Sequence, residues 1–107
     1  MIRIEIYKHG EIYTGICASG HSGYDEAGSD IVCAAVSTLM INCMNSIEHL
    51  AGDPMEEEIR EEDAYMSFRV PDPVSEKSQL LILSAILGLQ GVAAEYEECI
   101  SIGVQEV

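Results

Sequence analysis

A histidine and a cysteine, His21 and Cys33, stand twelve residues apart in the segment GHSGYDEAGSDIVCAAVS, which runs from Gly20 to Ser37. A thiol becomes a strong nucleophile at neutral pH when something stabilises its thiolate, and the two simplest devices are a helix N-terminus and a nearby imidazole. This segment offers both. Gly20, Gly23 and Gly28, set among small polar residues, predict a mobile loop over 20–29 that carries His21. Ser29 or Asp30 then predicts a cap for a helix running from Ile31 to about Ala51. With Asp30 as cap, Cys33 takes the third helical position. Amides there lack an intrahelical acceptor, and a thiolate gains about 1 kcal/mol from the helix dipole. The same amides would hold the oxyanion of a tetrahedral intermediate.

The remaining candidates are weaker. His9 falls in a turn, and His49 near the end of the first helix, where it favours the dipole. Cys43 lies mid-helix, and Cys17 and Cys99 lie on strands, positions that suit small apolar residues. A zinc site from His21, Cys33 and Cys17 would need a local ligand pair that the chain lacks, so no metal is expected. Ser37 sits one turn beyond Cys33 on the same helical face, where its hydroxyl would touch substrate or bond back to its own helix. Asp30 reads most simply as a cap, and as a partner orienting His21 it would have to point back into the loop.

The elements that must position these residues follow from periodicity. Ile2, Ile4 and Ile6 alternate with Arg3 and Glu5 as in a half-buried strand. A turn at Lys8–Glu11 leads to a second strand over Ile12–Ser19. Gly52 followed by Pro54 ends the first helix. The acidic stretch Met55–Asp63 and the alternating Tyr65–Val70 form a second hairpin with a charged, exposed edge. Its acids lack the glycine-bearing loop of a calcium site. A second helix starts at Asp72-Pro73 or Ser75 and lasts to about Tyr96, and Cys99–Val104 is a final strand. The order ββαββαβ predicts one α+β domain over residues 1–107, two layers deep, with two helices packed on a mainly antiparallel sheet. The second helix is apolar around much of its circumference, at Leu80, Leu81, Ile82, Leu83, Ile86, Leu87 and Leu89. One sheet face cannot cover all of these, which implies a second surface, most simply in a homodimer.

With 19 acidic and 5 basic residues the chain carries a net charge of −14. Such a surface repels phosphates and excludes direct nucleic-acid binding, while it attracts basic partners. No secretory leader opens the chain, and the longest apolar run, Leu80–Leu89, is too short to span a membrane. A cytoplasmic protein with reduced thiols is expected.

The pair of motifs Gly20-His21-Ser22-Gly23-Tyr24 and Gly28-Ser29-Asp30-Ile31-Val32-Cys33-Ala34-Ala35-Val36-Ser37 resembles the ribosomal-processing cysteine proteases called Prp. Length and element order are similar as well. The resemblance implies an endopeptidase that removes the N-terminal extension of large-subunit ribosomal protein twenty-seven. It places the catalytic dyad on His21 and Cys33 and associates the positions of Gly20, Asp30 and Ser37 with the active site. It also implies a mobile loop, a dimer and no cofactor. The rival expectation is a non-catalytic acidic module that grips a basic ribosomal segment during assembly. A redox-sensing thiol would need a resolving partner such as Cys17 beside Cys33.

Overall fold

The computed structural model describes residues 1–20 and 26–107, with backbone only for 26–30. Five strands and two helices follow one another as β1 (Ile2–His9), β2 (Ile12–Ser19), α1 (Glu26–Ser46), β3 (Glu56–Arg60), β4 (Tyr65–Arg69), α2 (Glu76–Glu95) and β5 (Ile100–Glu106). The sheet order is β3-β4-β2-β1-β5. Neighbours are antiparallel except β1 and β5, which are parallel, with Ile2 opposite Ile100 and Ile4 opposite Ile102. The expected ββαββαβ order and the two-layer α+β architecture are therefore present.

Chain geometry explains why both helices share one face. The connections from β2 to β3 and from β4 to β5 each join parallel strands, and such crossovers are right-handed. They run in opposite directions across the sheet, from strands of opposite sense. The two reversals cancel, so both helices land on the same side. Ile4, Ile6, Ile16 and Phe68 point to that side and meet Val32, Val36 and Met40 of α1, Ile47 just beyond its end, and Ile82, Ile86 and Leu89 of α2. The helices approach closely where Gly88 faces Leu39, since a methyl at Gly88 would lie 2.8 Å from Leu39 Cδ2.

Boundaries show which local signals prevailed. After Ser46 the first helix continues as a wider π-type turn over Ile47–Ala51, which ends at Gly52. Gly52 sits at φ 77° and donates its N–H to the Ile47 carbonyl at 2.7 Å, as the sequence anticipates. Of the two possible starts for α2, Ser75 is the cap, its hydroxyl accepting the Ser78 amide at 3.1 Å. The Asp53 carboxylate accepts the Ser75 amide at 3.0 Å and the Ser78 hydroxyl at 2.7 Å. Those bonds satisfy the fully buried Ser78, tie the end of the first helical segment to the start of α2, and lower the Asp53 pKa.

The start of α1 departs from expectation. The helix begins at Glu26 rather than Ile31, so residues 26–29, expected in the loop, are helical and Asp30 is not a cap. Glu26 and Ala27 are good helix formers, and the penalty for Gly28 in the first turn, about 1 kcal/mol, is small beside the gain from extending the helix. Residues 21–25 of the expected loop, His21 among them, lie outside the described residues. Both helices are also long and apolar enough, by length and composition, to cross a membrane, which the run-length criterion missed. Here one face of each packs on the sheet.

Candidate active site

Cys33 lies about two turns into α1, counted from Glu26 at 3.6 residues per turn. This corrects the helix-start geometry. The amides of Ile31, Val32 and Cys33 belong to the helix interior, where each is committed to a carbonyl four residues earlier, and the dipole's influence fades beyond the first turn. These amides do not form the expected oxyanion site.

What α1 supplies instead is a wall. Cys33 is partly exposed and packs against the core cluster, with Val36, Ser37 and Met40 following at helical spacing. Across a pocket of about 230 Å³ stand Ile59, Ala64, Tyr65 and Met66 of the β3–β4 hairpin, and the floor comes from Ile2, Ala18 and Gly20. The pocket exists because α1 packs along β2 and leaves the outer hairpin uncovered. Ile59, on the helix-side face of the edge strand, is 54% exposed for that reason. Arg60, Glu61, Ser19 and Ser37 give the apolar pocket a polar rim. An extended peptide could rest an apolar side chain in this pocket with its backbone passing the thiol.

Three of the residues singled out from sequence, Gly20, Cys33 and Ser37, therefore line one pocket. The helical register puts position 30 on the same face as Cys33 and Ser37, separated by three and seven residues. His21 is outside the described residues but is joined directly to Gly20. The opposing wall was not foreseen. Its sequence trace is faint, a single isoleucine, Ile59, in the otherwise charged strand Glu56–Arg60.

The other thiols are placed differently. All four cysteines are free, and Cys33 alone is not buried. Cys17 belongs to the sheet face opposite the helices, where Tyr7 hydrogen-bonds it and burial raises the Tyr7 pKa. The sheet thus separates Cys17 from Cys33, which removes it both as a resolving thiol and as a shared metal ligand. Burial pushes the Cys43 thiol up to about 12, and burial followed by the Glu98 carboxylate raises that of Cys99. Among the described residues, no three histidines, cysteines or carboxylates cluster as a metal site.

Comparison with known proteins agrees with this geometry. The ribosomal processing cysteine protease Prp of Bacillus subtilis is 31% identical over 84 residues, covering 75% of each chain. Two crystal structures of an essential ribosomal processing protease Prp from Staphylococcus aureus superimpose with TM-scores of 0.89 at 25% identity, covering 98% of this chain and 100% of that one. One holds a covalently linked product peptide and the other a substrate peptide. The family pattern described as cysteine protease Prp matches residues 1–101. By sequence, architecture and the partly exposed thiol on its pocket, the chain belongs to the Prp family of ribosomal-processing cysteine proteases.

Proposed function

We propose that this protease removes the N-terminal extension of large-subunit ribosomal protein twenty-seven in the cytoplasm, with Cys33 as nucleophile and His21 as its acid–base partner. The observation that carries the reading is Cys33 as the one thiol not buried, on a pocket shared with Gly20, the residue directly before His21. The imidazole takes the thiol proton, and the thiolate attacks the scissile carbonyl. The imidazolium then protonates the departing amine, and water hydrolyses the thioester. Ser37, the hydroxyl that α1 presents at the pocket rim, orients the peptide. No cofactor enters this sequence. A net charge of −14 draws in a basic ribosomal substrate, so kcat/KM falls as salt rises past a screening length of about 10 Å at 0.1 M.

The working form is a homodimer joined through α2. Leu80, Leu83 and Leu87 are 69%, 39% and 70% exposed and form one stripe at helical spacing, the apolar surplus that the sheet leaves uncovered.

The test is cleavage of a peptide bearing the host's ribosomal extension, read as a single new N-terminus by mass spectrometry. Cys33→Ala abolishes cleavage with the fold intact, and His21→Ala loses about 10²-fold or more. EDTA changes nothing. Tight binding of the peptide without any cut after long incubation would sink the reading.

A further inference from the structure

We infer that Ala64, at the tip of the β3–β4 hairpin, is a positioning residue for the peptidase reaction, acting through Gly20. This rests on the reading of Cys33 and His21 as the catalytic pair. Ala64 has a φ of 50°, and among the described residues no other non-glycine residue has a positive φ. A side chain in that region is strained, and the strain persists only where surrounding contacts hold it. Here they do. The Ala64 amide donates to the Glu61 carbonyl at 3.1 Å, closing the turn. Arg60 braces the same turn by donating to Asp63 at 2.8 Å, pairing with Glu58, and stacking 3.9 Å over the Tyr65 ring.

The result is a carbonyl aimed across the pocket's edge. The Ala64 oxygen accepts the Gly20 amide at 3.1 Å. Gly20 itself sits at φ 89°, and a Cβ there would lie 2.6 Å from the Met1 carbonyl oxygen. The hairpin tip and the N-terminus thus both reach Gly20, the first holding its amide and the second leaving no room for a side chain. The next residue in the chain is His21, so the backbone position of Gly20 fixes the point from which the chain continues to it. Displacement of a reacting group by about 1 Å costs on the order of 10²-fold in rate. A strained alanine in the hairpin tip therefore sets where the segment bearing His21 begins.

Ala64 also lines the pocket, and a simple wall residue would behave differently. The positioning role belongs to the backbone, the wall role to the methyl group. The experiment uses the whole protein and the ribosomal-extension peptide, with kcat and KM measured separately and thermal melting as the check on folding. Ala64→Gly and Ala64→Asn, which both accept a positive φ, should keep at least about fivefold more kcat than Ala64→Val, and any change they bring in KM reports the altered pocket wall. Ala64→Val, which resists it, should lower kcat about tenfold or more with KM within about twofold. Paired with Gly20→Ala, Ala64→Val should lose no more than the worse single variant, because both act on one clamp. A folded Ala64→Val with native kcat overturns the proposal, as do losses that multiply in the double variant. So does a kcat for Ala64→Asn as low as that of a folded Ala64→Val, and if Ala64→Val fails to fold, a loss of kcat of about tenfold in Ala64→Asn overturns it. His21→Ala separates the two levels of the argument. If it leaves kcat intact, the catalytic pair is wrong and this inference falls with it. If it lowers kcat while Ala64→Val does not, only the role of Ala64 is lost.

Discussion

One limiting equivalent of iodoacetamide under native conditions should mark Cys33 and no other thiol, and peptidase activity should fall in proportion to that single adduct. The magnitude follows from where the thiols sit. Only the thiolate reacts, and Cys43, pushed up to about 12 by burial, is ionised at pH 7 to about one part in 10⁵. A thiol at an ordinary value near 8.5 is ionised to about three parts in a hundred, so ionisation alone slows Cys43 by about 3,000-fold. Access adds to this, because Cys43 is 3% exposed and its sulfur donates to the Leu81 carbonyl at 3.6 Å. Cys99 combines a raised pKa with a position in the core, and Cys17 is buried against Tyr7. Reaction at several values between about pH 6 and pH 9, a window that brackets ordinary thiol ionisation, would be read by peptide mass spectrometry beside residual activity. In denaturant all four thiols should react alike. A first adduct on Cys17, Cys43 or Cys99 would refute the reasoning, and so would full modification of Cys33 with activity retained.

Gly15→Ala should be severely destabilising, because the added methyl would lie 2.0 Å from the Phe68 carbonyl oxygen, where β2 and β4 pair. Parting those strands costs about 3 kcal/mol, or a Tm lower by more than about 10 °C, and a melt within 2 °C of wild type (about half a kcal/mol) would contradict it. Asp53→Asn should lower stability most at neutral pH. The hydroxyls of Ser78 and Ser75 and the Ser75 amide depress the folded pKa of Asp53, so its contribution is present above the unfolded value of about 4 and is lost as pH falls through the lower folded value. Denaturant titrations that give an equal gap between wild type and variant at pH 7 and below about pH 3 would remove that account. Leu80→Glu combined with Leu87→Glu should leave monomers in sedimentation while wild type forms dimers, given the exposure of both side chains. Unchanged association would place the dimer contact elsewhere.

Much of the fold was legible because its signals are local. The alternation of Ile2, Ile4 and Ile6 specifies a half-buried strand, Ser75 has the hydroxyl that a helix start needs, and Gly52 supplies the left-handed residue that ends one. The motif around His21 and Cys33 identified the family from residue types and order alone. The start of α1 was misplaced because two local signals competed. Ser29 and Asp30 are good caps and Gly28 a plausible breaker, yet the helix runs through them from Glu26, and capping preference is weaker than the continuation of a helix packed on a core. That difference moved Cys33 from a helix end into a helix wall.

Element order, charge and available chemistry follow from the residues alone, since each depends on residue type and short-range periodicity. Which thiol is accessible, and what faces it, came from packing between elements far apart in the chain. Cys17, Cys43 and Cys99 differ from Cys33 in burial, and burial is set by strands and helices distant in the chain. The second wall of the pocket comes from Ile59, Ala64 and Met66, and the Gly20 amide is held by a residue 44 positions away. Such contacts leave no periodic trace, because they arise from sheet order and helix placement rather than from any property of the neighbouring residues.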